Sequence, residues 1–197
     1  MKVSREEAEA NRERIIEAAS RLFREKGLDG IGVADLMKGA GLTHGGFYGH
    51  FKSKDDLAAQ AAGRALQRSN AKWVDLIEKS KGDSFALVAK GYLSEEHRDK
   101  LGSGCAFAAL GADAARQGRS FRQAFTDGLN AAIGILAGIV SGRSKADKRK
   151  HALAAMSQMV GALVLSRAVD DRDLSGEILR AALDDIIGRN ATGSDVR

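Results

Sequence analysis

Not one of the 197 residues of this chain is proline. Turns and sheet edges use proline freely, whereas helix interiors exclude it. Its absence leaves glycine, at 23 residues, as the main breaker of regular structure. Runs of β-branched residues are scarce, and alanine and straight-chain residues dominate, which favours helix over strand. No strand ladder and no alternating strand–helix unit can be read from the chain. The expected fold class is all-α.

Apolar spacing and capping residues place the helices. Ser4, with Glu7 three residues on, forms a capping box ahead of Ile15, Ile16, Ala19, Leu22 and Phe23, and Gly27 ends that helix. A short helix follows over 33–40, with Val33, Leu36 and Met37 inward. After a tight turn at Gly41-Leu42, Thr43 caps a third helix that carries Phe47 and Phe51 on one face at i, i+4. Ser53 caps a long fourth helix bearing Leu57, Ala61, Leu66, Trp73 and Ile77 and ending near Lys81-Gly82. Further helices are expected over 84–93, from about 104 to Gly118, and from 120 to 140. Residues 94–103 read as a polar stretch, and 142–150 as a charged, flexible connector. Helices over 152–167 and 174–189 complete a set of about nine, with a frayed tail from Asn190.

Composition excludes several classes. Hydrophobic residues make up 44% and charged residues 29%, the balance of a globular chain with a core. The longest apolar run, 131–140, is too short to cross a bilayer, so no membrane partner is expected. The first residues, Met1 to Glu7, contain no apolar signal core, which points to the cytoplasm. A single cysteine, Cys105, excludes an internal disulfide and a thiolate zinc cluster. His44, His50, His97 and His151 lack zinc-ligand spacing, and no phosphate-binding glycine loop opens a helix. No metal, cofactor or catalytic residue is therefore assigned, and an enzyme is not expected.

Residues 33–52 (VADLMKGAGLTHGGFYGHFK) carry the functional signal. Helix, glycine turn and second short helix make a helix-turn-helix that holds its second helix away from the body. Phe47 and Phe51 anchor its inner face. Thr43, His44, Gly45, Gly46, Tyr48 and His50 form the outer one. Each of the two adjacent glycines weakens a helix by roughly 1 kcal/mol relative to alanine. Close approach of the backbone to a groove is a reason to keep them. Thr43, Tyr48 and His50 can donate to phosphates, and Lys52 and Lys54 add positive charge. A bare α–turn–α corner in a helical protein is the other reading of the same spacing.

Residue identity bears on that choice. Val33-Ala34-Asp35-Leu36, Ala40-Gly41-Leu42-Thr43, Gly45-Gly46-Phe47-Tyr48, His50-Phe51 and Ser53-Lys54-Asp55-Asp56-Leu57 closely resemble the TetR family of bacterial transcriptional regulators. Ile15-Ile16-Glu17-Ala18-Ala19 and Leu22-Phe23-Arg24-Glu25-Lys26-Gly27 look like that family's first helix. The likeness covers roughly the first 60 residues. It implies a helix-turn-helix DNA-binding domain over 1–52 and a ligand-binding and dimerisation domain over 53–197. It also implies a homodimer that binds a palindromic operator in double-stranded DNA and is released by a small-molecule inducer. Carried over residue by residue, Thr43, Gly45, Gly46, Tyr48 and His50 face DNA, with Lys54 on a backbone phosphate. His44 is the side chain best placed for a base edge. Arg5 and Arg12 add phosphate or minor-groove contacts, or else lie on a solvated face beside Glu6, Glu9 and Glu13.

In the second region Trp73, Tyr92, Phe107 and Leu110, with Phe121, Phe125 and Met159, either surround a lipophilic ligand or form plain core. Cys105 sits at a helix start close in sequence to Arg98 and Lys100. It is either a thiol that senses electrophiles or a small buried hydrophobe. The last two helices have wide apolar faces suited to a dimer interface. Met156, Leu163 and Arg167 are its candidates on the first, and Ile178, Leu179, Leu183 and Ile186 on the second.

The net charge of +5 does not carry the DNA reading. Residues 1–60 hold 10 basic and 10 acidic side chains and are formally neutral, so the excess lies beyond them. The local layout of residues 43–54 carries it instead, provided the acids of the first helix face away from DNA.

Overall fold

The computed structural model describes residues 4–195, with side chains described to Ala191. Of the N-terminal residues read for a signal core, Met1 to Val3 lie outside the described residues. Among the described residues there are nine α-helices, two short 3-10 helices and no strand. The α-helices are α1 (Arg5–Lys26), α2 (Val33–Gly39), α3 (Lys54–Glu78), α4 (Ser84–Tyr92), α5 (Glu95–Asp99), α6 (Ala106–Ala114), α7 (Arg119–Ile139), α8 (Lys145–Ala168) and α9 (Arg172–Asp195). The 3-10 helices are His44–Gly49 and Leu101–Ser103.

The chain forms two compact units. One takes the residues up to Arg68 with Leu101–Gly128; the other takes Ser69–Lys100 with the residues from Leu129 onward. In the first unit, one buried cluster joins Ile15, Ile16 and Phe23 of α1, Leu36 and Met37 of α2, and Phe47, Phe51 and Leu57. Leu110 of α6 and Phe121 of α7 close it. Each such side chain contributes about 1.5–3 kcal/mol by leaving water. Polar contacts dock α1 on α3 alongside this core. Arg64 grips the Glu13 carboxylate with two bonds of 2.6 and 3.0 Å, Arg68 pairs with Glu17, and Arg12 donates to Gln60.

Capping residues start helices where the sequence places them. Ser4 Oγ accepts the Glu7 N–H at 3.1 Å, and Ser53 Oγ accepts that of Asp56 at 3.1 Å. Gly27 stops α1 with φ +75°, and Gly41 turns the chain after α2 with φ +70°, conformations that side chains disfavour.

Four expectations need correction. The third helix is a 3-10 helix, and the Thr43 side chain does not cap it. Three glycines in six residues weaken α-helix there. The polar stretch contains α5, which Ser94 caps by accepting the His97 N–H at 3.1 Å. The connector is shorter than expected, because Ser144 caps α8 through Asp147 and its basic residues from Lys145 form the first turns. The tail continues α9 to Asp195.

In the second unit Phe85, Val88, Leu136, Met159, Leu163 and Leu179 are buried. A polar network ties α5, α8 and α9 together. The buried Arg98 guanidinium donates to Asp99 at 2.8 Å and to Ser175 Oγ at 3.1 Å, and Ser175 Oγ donates to the Ser166 carbonyl at 2.6 Å. Arg167 donates to the carbonyls of Arg98 and His97 at 3.0 and 2.8 Å. A charge this far from water needs such partners.

His97 lies within this network, its Nδ1 2.7 Å from the Tyr92 carbonyl oxygen. Burial holds its titration below the ordinary histidine value; the hydrogen bond to Tyr92 opposes this, while the Arg167 and Lys72 cations reinforce it. Below pH ~6.5 the unfolded chain therefore takes up a proton that the folded chain refuses. The stability contributed by neutral His97 is present above that pH and is lost as pH falls toward the folded value. Urea unfolding at pH 5.5 should show a lower midpoint than at pH 7.5, and His97→Gln should narrow the gap. Equal gaps in both proteins would contradict this role.

Candidate nucleic-acid interface

The candidate interface is built on two buried phenylalanines. After α2, the amides of Gly41 and Leu42 bond back to the carbonyls of Lys38 and Met37 at 3.0 and 2.9 Å, which closes the turn. Thr43 leaves it in an extended conformation, and its carbonyl accepts the Gly46 N–H at 3.2 Å. Phe47 then drops into the core with no exposed surface, and Phe51 follows, with ring centroids 5.7 Å apart. The amides of His50 and Phe51 bond to the Phe47 carbonyl at 2.9 and 3.0 Å.

With Phe47 inward, the outer face consists of Thr43, His44, Gly45, Gly46 and Tyr48, all exposed. Tyr48 is 72% exposed, and its ring stands edge-on to Phe47 at 5.2 Å. His50 is half-buried beside Phe51. A Cβ added at Gly45 would meet nothing within 4 Å, and at Gly46 only Met37 Cε at 3.6 Å. Neither glycine has positive φ. The chain's own packing thus gives no reason for them. What they do is leave backbone bare on an exposed face, open to a close neighbour.

Lys52 and Lys54 lie at one end of this face, Lys52 exposed and Lys54 half-buried. Asp56 holds that corner: its carboxylate accepts the Lys52 N–H at 3.0 Å and Gln60 Nε2 at 2.8 Å. The Lys52 amide bond is the main cause that keeps Asp56 below the usual carboxylate range. Arg12 lies over the Phe51 ring, 5.3 Å from its centroid, and reaches Gln60, while Arg5 is exposed. Of the acids on α1, Glu13 and Glu17 face Arg64 and Arg68, and Glu6, Glu7 and Glu9 are exposed or half-buried near its start. Sequence reasoning missed Asp56, Gln60, Arg64 and Arg68 as the residues that steady this corner, because partners 48 to 51 positions apart leave no local pattern.

The other candidates fall into separate places. In the first unit Cys105, Phe107, Leu110 and Phe121 are buried and Phe125 is half-buried; Phe107 and Phe125 meet edge-to-face at 5.0 Å. Cys105 is the residue before α6 and feels the Arg24 guanidinium, which donates to the Gly102 carbonyl at 2.9 Å. In the second unit Trp73 is half-buried against the buried Tyr92, centroids 6.0 Å apart, and Met159 is fully buried. On α8 and α9, Met156, Leu163, Leu179 and Ile186 are buried inside the chain, and Arg167, Ile178 and Leu183 are half-buried. Among the described residues no group of three His, Cys, Asp or Glu side chains could hold a metal ion, and no helix is long and apolar enough to cross a membrane.

Residues 15–61 match the sequence profile described as "Bacterial regulatory proteins, tetR family". The chain is 37% identical over 107 residues to the HTH-type transcriptional regulator AcrR of Shigella flexneri, a stretch covering 50% of this chain and 49% of that protein. It is 40% identical over 62 residues to an HTH-type transcriptional regulator of Staphylococcus aureus (strain USA300), covering 32% and 34% of the two chains. This chain thus spans at most about half the length of these curated relatives. Solved structures extend the likeness in fold. NemR of E. coli in its reduced form superposes with a TM-score of 0.76 at 20% identity, over 91% of this chain and 96% of that one. A TetR-family regulator from Cytophaga hutchinsonii does so at 0.77 and 21%, over 95% and 98%.

Proposed function

The chain belongs to the tetR family of bacterial regulatory proteins, and on that premise we propose that it is a homodimeric, cytoplasmic repressor of transcription. It binds a palindromic operator through residues 1–52 and is released when a small lipophilic or electrophilic molecule binds residues 53–197. The observation that carries this reading is the exposed, uncharged run of residues 43–46 with Tyr48, fixed from behind by Phe47 and Phe51. A short element with bare backbone outward and two rings inward fits a major groove. Thr43 and His44 with Gly45 and Gly46 meet base edges, and Tyr48, His50, Lys52 and Lys54 set register on phosphates.

Two such elements related by a two-fold axis read two half-sites, which is why the operator is a near-palindrome. Release needs a ligand that favours a second separation of the two elements by a few kcal/mol. α3 is the natural lever, because it starts beside the DNA element and contributes residues to both units. Phe107, Leu110, Phe121 and Phe125, and separately Trp73, Tyr92 and Met159, are the apolar side chains offered to such a ligand. Arg167, Ile178 and Leu183 lie toward the dimer interface, and Met156, Leu163, Leu179 and Ile186 support it from within.

An electrophoretic shift tests the function. The intergenic DNA beside this protein's own gene should be retarded at concentrations where a scrambled fragment of equal length is not. Equal retardation of both fragments overturns the reading. Electrophile release is tested at Cys105, which lies near a helix start and the Arg24 cation, conditions that favour thiolate. Alkylation should release operator DNA from the native protein and not from Cys105→Ser. Unchanged operator binding after complete modification removes the electrophile and leaves the lipophilic ligand.

A further inference from the structure

α8 turns an uncharged face to solvent. Its inward side, including Ala155, Met156, Met159 and Leu163, packs within the second unit. On the opposite side Leu153, Val164 and Leu165 are 43%, 41% and 57% exposed, among Ala154, Ser157 and Gly161. The outward face of a surface helix normally carries charge. A Cβ at Gly161 would meet nothing within 4 Å, so nothing in this chain requires glycine there, at a helix-interior cost of about 1 kcal/mol. Approach of a second backbone does require it.

Two features identify that second backbone. Leu153, Ser157, Val160 and Val164 follow one another at intervals of four, three and four residues. This spacing reads the same in both directions, as two-fold pairing of a helix with an antiparallel copy of itself demands. The ends of the stripe are also complementary. Before it stand Arg143, Lys145, Lys148, Arg149 and Lys150 with one acid, Asp147, whose carboxylate is occupied by the Arg143 N–H at 2.9 Å. After it stand Asp170, Asp171 and Asp173 with one base, Arg172. Among the described residues Lys145, Lys148, Asp170 and Asp173 make no ion pair. Reversal about the midpoint of the stripe sets Leu153 against Val164 of the second copy and brings the basic start to the acidic end. Parallel pairing would set like charges together.

We infer that α8 is the seam of the dimer, packed antiparallel against α8 of a second copy of this chain, with the basic start and acidic end fixing its register. This rests on the homodimer proposed above and places the contact on the face opposite Met156 and Leu163.

Sedimentation of the full chain tests it. The native protein should run as a dimer. Gly161→Leu, whose side chain enters open space in the monomer, should keep the native helical circular dichroism and weaken the dimer roughly tenfold or more. Lys145→Glu with Lys148→Glu should also weaken it, and adding Asp170→Lys with Asp173→Lys should restore it. In a Cys105→Ser background, Leu153→Cys combined with Val164→Cys should give an oxidised covalent dimer that neither single variant gives. If Gly161→Leu unfolds the chain, the cysteine pair decides. A native dimer indifferent to the charge reversals, with no covalent dimer from the paired cysteines, overturns the seam and leaves the homodimer standing. A monomeric native protein overturns both.

Discussion

Replacing Phe47 with alanine should cost the first unit about 3–5 kcal/mol, the usual penalty for emptying a fully buried phenylalanine site. Phe47 has no exposed surface and meets the rings of Phe51 and Tyr48 at 5.7 and 5.2 Å. Its removal takes away both a core side chain and the peg that holds the 3-10 helix out. A domain's whole stability is about 5–15 kcal/mol, so the loss is a large share of it. Urea titration should show the midpoint falling steeply, with the N-terminal helices melting at lower denaturant than in the native chain. A midpoint within experimental error of native would show that Phe47 is no anchor.

Replacing Gly45 with leucine should do the reverse, leaving the fold intact and abolishing recognition. The position is exposed, and a Cβ there meets nothing within 4 Å, so the folded monomer has room for the side chain. In a groove the same side chain stands where base edges should approach. A lost base-edge contact costs about 1–3 kcal/mol, and a dimer loses it at both half-sites. At about 2 kcal/mol per half-site the operator affinity should fall about a thousandfold. Fluorescence anisotropy with labelled operator reads this directly, and the unfolding midpoint should stay within about 1 kcal/mol of native. Native affinity in Gly45→Leu would remove the glycine pair from the interface.

The two substitutions mark how far the sequence could be read. Phe47 and Phe51 were legible as inward-facing because their spacing holds in either a 3-10 or an α-helical turn. The 3-10 form itself was not, since Thr43 looks like a helix cap and only the backbone decides against it. α5 escaped because it spans five residues and its one buried side chain is an arginine, held by Ser175 from 77 positions away. On α8 apolar residues lie on both faces, so periodicity alone does not separate buried Met156 and Leu163 from exposed Leu153 and Val164. The capped starts of α1 and α3 were legible because a serine and the amide three residues on are neighbours in the chain.

The central claim is that residues 43–54 read a two-fold-symmetric DNA sequence. DNase I footprinting on the intergenic DNA beside the gene, at about 0.15 M salt to suppress non-specific binding, tests it most directly. The expected result is two protected half-sites related by two-fold symmetry, their centres separated by roughly whole helical turns of about 10 base pairs, both erased by Gly45→Leu. Diffuse protection along the whole fragment, unchanged by Gly45→Leu, would contradict it.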